Sequence, residues 1–182
     1  VKTGHTYKSL PSQMTRVQFL NCFGSVYESS PWIAETAWDL GQIDSKAIHS
    51  AEKLSSIFSQ IVNKASDEKK LALLNAHPDL AGKLAIAGKL TADSSKEQAG
   101  ADLQNCTKEE FEQFQKLNTN YKEKFGFPFI LAVQGYQRSE ILKIFEKRIK
   151  NSIEEEYKVA LAQVNRIALL RLGRIEYTPG NN

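Results

Sequence analysis

Four places in the 182-residue sequence combine residue types in ways that bear on chemistry. The first is Arg171. With Ile153 set to zero on a helical wheel, Tyr157 falls near ~40°, Ala160 near ~340°, Val164 near ~20° and Ala168 near ~60°, which makes one apolar stripe. Arg171 falls at about 0°, inside that stripe, whereas Arg166 falls near ~220° on the polar side. An arginine on a core stripe needs an anion, from a ligand or a structural carboxylate, or it must snorkel past the helix end. The second is His77, between an apolar helix (Leu71, Leu73, Leu74) and Pro78. A helix C-terminus favours imidazolium, which suits proton transfer, but a histidine there can equally satisfy the last carbonyls. The third is Ser94-x-x-Glu97, a capping-box pattern that by itself accounts for both residues, followed by the amide of Gln98. A helix N-terminus also offers N–H groups to an anion. The fourth is the run Phe127–Val133 between Gly126 and Gly135, the only strongly β-like stretch. A lone strand makes no sheet, so its amides and carbonyls must find side chains or a ligand as partners.

These residues have to be positioned by helices. Thr15 with Gln18 predicts a helix through Phe23, ended by Gly24. Ser30-Pro31 predicts a cap and first helical residue for a helix through Leu40, closed by Gly41. Asp44 or Ser45 opens a longer helix, with Ile48, Leu54, Ile57, Phe58 and Ile61 on one stripe. Ser66 opens a helix through Ala76, and Pro78 disfavours helical geometry at His77. Residues 79–93 contain Gly82 and Gly88 and read as a short helix or loop. Ser94 caps the next helix. Thr107-x-x-Glu110 opens one with Phe111, Phe114, Leu117 and Tyr121 at helical spacing, ended by Gly126. Ser139 starts a helix to about Lys150, and Ser152-x-x-Glu155 caps a last one to about Leu172. The expectation is an all-α fold, a single compact bundle of seven to eight helices with one extended buried segment at about 127–133. Residues 1–14 read as a flexible N-terminal segment, 15–176 as the domain and 177–182 as a frayed tail.

Composition narrows the function classes. Hydrophobic residues make up 41% and charged residues 25%, which is ordinary for a globular chain and excludes a disordered one. The net charge of +3 is spread evenly, with 10 basic and 8 acidic residues up to position 91, so nucleic acid is not the expected partner despite an isoelectric point near 8.8. No apolar run approaches the ~18 residues of a membrane span, and the N-terminus lacks a signal-peptide core. Cys22 and Cys106 stand apart and read as reduced thiols; His5, His49 and His77 match no metal spacing. No phosphate loop or Gly-x-Ser-x-Gly is present. An enzyme of this composition is expected to work without metal or dinucleotide.

In combination, His77-Pro78-Asp79-Leu80-Ala81-Gly82-Lys83, Ser94-Ser95-Lys96-Glu97-Gln98-Ala99-Gly100, Leu117-Asn118, Tyr121 and Phe125-Gly126-Phe127-Pro128-Phe129-Ile130 closely resemble one family. It is the 2-oxo-4-hydroxy-4-carboxy-5-ureidoimidazoline (OHCU) decarboxylase family of urate degradation. The resemblance runs from about Phe19 to Ile175 and includes Ser30-Pro31-Trp32-Ile33-Ala34-Glu35 and Leu170-Arg171-Leu172. It implies an all-helical, usually homodimeric, cofactor-free carboxy-lyase that releases CO2 and gives (S)-allantoin. It further implies that His77 is the catalytic acid/base, with Glu97 and Arg171 catalytic beside it and Arg171 facing the substrate. Pro78, Ser94, Ser95, Lys96, Gln98, Phe129, Ile130, Leu131, Ala132 and Val133 match substrate-binding positions. Asp102 stands where many members have glycine, and Gly173 is unusual; both are expected to affect helix ends rather than chemistry. The competing class is a non-catalytic helical module that keeps the fold and binds a ligand. The C-terminus is not a peroxisomal Ser-Lys-Leu address, so cytoplasm is the expected compartment, or the peroxisome if the source is eukaryotic.

Overall fold

The computed structural model describes residues 10–44, 50–82 and 88–175. Among them are eight α-helices and no strand: α1 Arg16–Phe23, α2 Trp32–Asp39, α3 Ala51–Lys64, α4 Asp67–Asn75, α5 Ala92–Gly100, α6 Lys108–Phe125, α7 Arg138–Arg148 and α8 Ile153–Leu172. The all-α class is as expected. Contacts divide the chain into two compact units, one of Val1–Leu73 with Asn165–Asn182 and one of Leu74–Val164.

Several helix ends follow the sequence closely. Thr15 and Gln18 exchange hydrogen bonds at the start of α1, as do Thr107 and Glu110 at α6 and Ser152 and Glu155 at α8. The α2 end is a Schellman turn: Gly41, at φ +68°, donates to Trp38 O, and Gln42 N–H donates to Ala37 O. Gly126 ends α6 at φ +78°.

Four expectations about helix starts are corrected. Ser94 is not the cap of α5. That helix starts at Ala92, and the Thr91 side chain accepts the Ser94 N–H at 3.3 Å. A hydroxyl three residues upstream reached the free amide first, which places Ser94 in the first turn and Glu97 a turn and a half inside. Ser30 does not cap α2; its hydroxyl donates to Glu28 O at 2.9 Å, and the helix runs from Trp32. Gln137 rather than Ser139 precedes α7, with Glu140 accepting its N–H at 2.8 Å. The Ser50 hydroxyl caps α3 at Ala51, later than Asp44 or Ser45. Residues 45–49, including Ile48, and 177–182 lie outside the described residues. Leu10–Met14 contains a short 3-10 turn at Pro11–Gln13, with Met14 7% exposed.

The first unit is built on Phe19, Phe23, Tyr27 and Phe58, all fully buried. Phe19 sits 5.0 Å from Phe23 and 6.4 Å from Phe58, ring centre to ring centre, and Tyr27 lies 6.2 Å from Phe58. The second is built round Tyr121 of α6, whose ring meets Phe125, Phe127, Phe129 and Phe145 within 4.5–6.0 Å. Aromatic clusters of this kind add modestly to the large area they bury. Asp102 adopts a left-handed conformation at φ +57° just past α5. Glycine takes that conformation without strain, which is the physical sense of the glycine expected there.

Candidate active site

In the second unit, α4 ends where Pro78 requires. His77 N–H turns back to Leu74 O at 3.2 Å, and the His77 side chain is buried at 8% exposure. The loop that follows is held by side chains from two helices. Gln98 of α5 accepts the Ala81 N–H at 3.1 Å and donates to Asp79 O at 3.2 Å. From α6, Gln115 donates to Ala81 O at 2.9 Å, Asn118 donates to Leu80 O at 3.0 Å, and Lys122 grips the Asp79 carboxylate at 2.7 Å. Ala81 takes φ +49°, and a Cβ on Gly82 would meet Asp79 Cβ at 2.8 Å, so the loop needs glycine at 82. A cavity of about 420 Å³ opens here, lined by Asn75, His77, Pro78, Gln115, Asn118 and Lys122 among others. Asn118 is 2% exposed, and its Oδ1 has no hydrogen-bond partner among the described residues.

The stretch Ser94–Gln98 is divided by the helix that carries it. Ser94 and Gln98 are buried, Glu97 is half-buried beside them, and Ser95 and Lys96 are exposed. That is helical periodicity: positions 94, 97 and 98 share one face. Glu97 is not among the walls of the 420 Å³ cavity. Gln98 reaches the His77 loop through the two bonds above, so its amide is engaged in shaping that loop.

The segment 127–133 is neither helix nor strand, with Phe129, Ile130, Leu131 and Val133 buried and Ala132 half-buried. Phe129 stacks on Phe145 at 3.8 Å, with the Arg148 guanidinium 4.4 Å from its centre on a face. Side chains supply the partners that a sheet would have given: Arg148 Nη1 donates to Ile130 O at 2.7 Å, and Gln163 Oε1 accepts the Ala132 N–H at 2.9 Å. Arg148 is itself fixed by fully buried Glu156, which also accepts from Tyr121 at 2.6 Å and from Asn151 at 2.9 Å. Burial, with the Glu156 carboxylate beside it, pushes the Tyr121 phenol far above its ordinary pKa, so it stays a donor.

Arg171 belongs to the first unit. It is 3% exposed and does not snorkel; its Nη1 lies 3.0 Å from Oε2 of Glu28, which is 4% exposed, and 3.5 Å from Val26 O. Arg171 is thus a buried cation on the apolar stripe of α8, and Glu28 is an anion beside it. Glu28, Gln115 and Lys122 carry no role in the sequence expectations, and Asn118 enters them only within the Leu117-Asn118 motif. Gln115, Asn118 and Lys122 had a legible signal, a polar stripe at spacings of three and four along α6. Glu28 had none, because no periodicity governs a turn.

A family model described as OHCU decarboxylase matches residues 12–173. The 2-oxo-4-hydroxy-4-carboxy-5-ureidoimidazoline decarboxylase of Haloferax volcanii is 40% identical over 154 residues, 85% of this chain and 86% of that one. The uric acid degradation bifunctional protein of a Bacillus species is 35% identical over 171 residues, 94% of this chain but 32% of that longer one. Among solved structures, one of (S)-allantoin synthase superposes with a TM-score of 0.70 at 32% identity, over 89% of this chain and 51% of that chain.

Proposed function

The chain belongs to the OHCU decarboxylase family, and on that premise we propose that it is a carboxy-lyase converting 2-oxo-4-hydroxy-4-carboxy-5-ureidoimidazoline to (S)-allantoin and CO2. The observation that carries this is the family match along residues 12–173, which includes every position assigned a role below. The bond from C4 to its carboxylate breaks, and its electron pair moves into a C4–C5 double bond as the ring imine takes up charge. The ring nitrogen is protonated from solvent, the 4-hydroxyl gives up its proton to become the carbonyl of the product, and C5 receives one proton. The substrate thus holds its own electron sink, and the chemistry calls for no metal or organic cofactor.

His77 is the proton shuttle in this reading, relaying between the 4-hydroxyl and C5. Its support is a buried imidazole at a helix end, beside a cavity and on a loop clamped by Gln98, Gln115, Asn118 and Lys122. Positioning within tenths of an ångström is what such a clamp contributes to proton transfer. Glu97 holds the hydroxyl or ureido N–H groups; with Thr91 as the cap, helix capping does not explain its presence. Arg171 offers its fork to the carboxylate. Pro78, Ser94, Gln98 and the main chain of 129–133 complete the contacts, with Ser95 and Lys96 at their exposed margin. The working form is a homodimer, in cytoplasm or peroxisome, with no nucleic-acid partner.

The test is turnover of fresh substrate, generated in place by urate oxidase and hydroxyisourate hydrolase and followed by circular dichroism of the allantoin formed. An S-signed signal rising faster than spontaneous decay is expected. A signal that stays racemic at stoichiometric protein would leave a ligand-binding module in place of an enzyme.

A further inference from the structure

Glu28 and Arg171 form a buried ion pair in the first unit, and the pair is built into the backbone on the Glu28 side. Ser29 adopts φ +45°, a conformation that side chains other than glycine take only under strain. The Ser30 hydroxyl closes back on Glu28 O at 2.9 Å, and Ser30 N–H on Tyr27 O at 3.2 Å. The same turn is tied to α8 at two levels: Tyr27 donates to Asn165 Oδ1 at 2.7 Å, and Glu28 meets Arg171 six residues further along. Glu28 is therefore placed by the turn, not merely drawn in by the arginine. Buried ion pairs contribute little net stability against apolar replacements of the same volume. A strained turn delivering a carboxylate to one buried guanidinium is better explained by what it does to that guanidinium.

Resting on the function proposed above, we propose that Glu28 is a positioning residue for the decarboxylation: it neutralises Arg171 between turnovers and fixes the plane of its fork. A guanidinium has five N–H donors, and one carboxylate can engage at most two. The pair thus stays compatible with a second anion, the substrate carboxylate, while its orientation is set before the substrate arrives. Preorganisation of this kind acts on the rate as well as on binding.

The experiment is a double-mutant cycle of Glu28→Gln with Arg171→Lys, which keeps the cation and removes the fork. We expect Glu28→Gln to lower kcat/KM at least ~10-fold beside Arg171, and no more than ~2-fold in the Arg171→Lys background, a coupling typical of contacting residues. Equal losses in both backgrounds would overturn the proposal, because Glu28 would then act without the arginine. An unchanged kcat/KM with only a lowered melting temperature would overturn it too, as a structural role. If Glu28→Gln does not fold, Tyr27→Phe is read in the same cycle; it frees the turn from Asn165 and keeps both charges, and a loss of at least ~3-fold confined to the Arg171 background is expected. Additive losses there would count against the role. Wild-type protein that turns over no substrate would instead overturn the function itself, and is distinguished by failing before any substitution is compared.

Discussion

His77 lies where two local forces meet: the last carbonyls of the helix before it must find partners outside that helix, and the proline after it forbids another turn. Replacing the imidazole with an amide of similar shape should therefore spare the fold. We expect His77→Asn to lower kcat by about 10²–10⁴-fold, the range of general acid–base groups, with an unchanged far-ultraviolet circular dichroism spectrum; near wild-type turnover would take His77 out of the mechanism. Glu97 can now be tested more sharply than the sequence allowed. Because Thr91 caps α5, Glu97→Gln should leave the melting temperature within about 1 °C, a surface-like effect, while kcat falls at least ~10-fold. A loss of stability with turnover intact would return Glu97 to a structural role.

At the scale of elements, the cap of α5 and the hub under segment 127–133 are the places where structure decides. Thr91→Ala should cost about 0.5–2 kcal/mol in denaturant unfolding, the usual worth of a side-chain N-cap; no measurable cost would mean that α5 starts elsewhere. Arg148 is the more consequential contact. It joins α7 to Ile130 O and to Glu156 on α8. Arg148→Met would leave a fully buried carboxylate and a buried carbonyl without their cation, and an uncompensated buried charge of this kind costs about 3–5 kcal/mol. Unfolding curves should show that loss, and kcat/KM should fall as the 129–133 backbone loosens. A stable, fully active variant would mean that the segment is held by packing alone.

For the whole molecule, the substrate's own electron sink predicts turnover that survives exhaustive chelation and dialysis; activity restored only by added Zn²⁺ or Mn²⁺ would overturn that mechanism. Among the described residues no group of three or more His, Cys, Asp or Glu is placed to hold a metal ion, and no helix is long and apolar enough to cross a membrane. The two thiols give a further check. Burial pushes both Cys22 and Cys106 up from the ordinary thiol range, and Cys106 Sγ also donates to Leu103 O at 3.1 Å. The thiolate is the reactive form, so alkylation at pH 7.5 should run slower than for a free thiol and accelerate on unfolding. Equal rates in the folded and unfolded chain would contradict the burial.

Much of this was legible along the chain because helices announce themselves locally. Caps, glycine stops and a 3.6-residue period are set by neighbours within four positions, so Thr15, Thr107 and Ser152 could be read directly, and Arg171 stood out against its own stripe. The His77-Pro78 junction and the resemblance of its surrounding motifs were equally local. What the tertiary structure decided depends on residues far apart in sequence. One local choice also stayed open, because Thr91 and Ser94 are two good caps competing for the start of α5. The partners of segment 127–133, Arg148 and Gln163, come from 18 and 31 residues away. The anion beside Arg171, Glu28, comes from a turn near the other end of the chain, and the Val26 carbonyl that the same guanidinium reaches is 145 residues away. Such pairings cost chain entropy that only the folded core repays, and no periodicity in one segment records which distant segment will meet it.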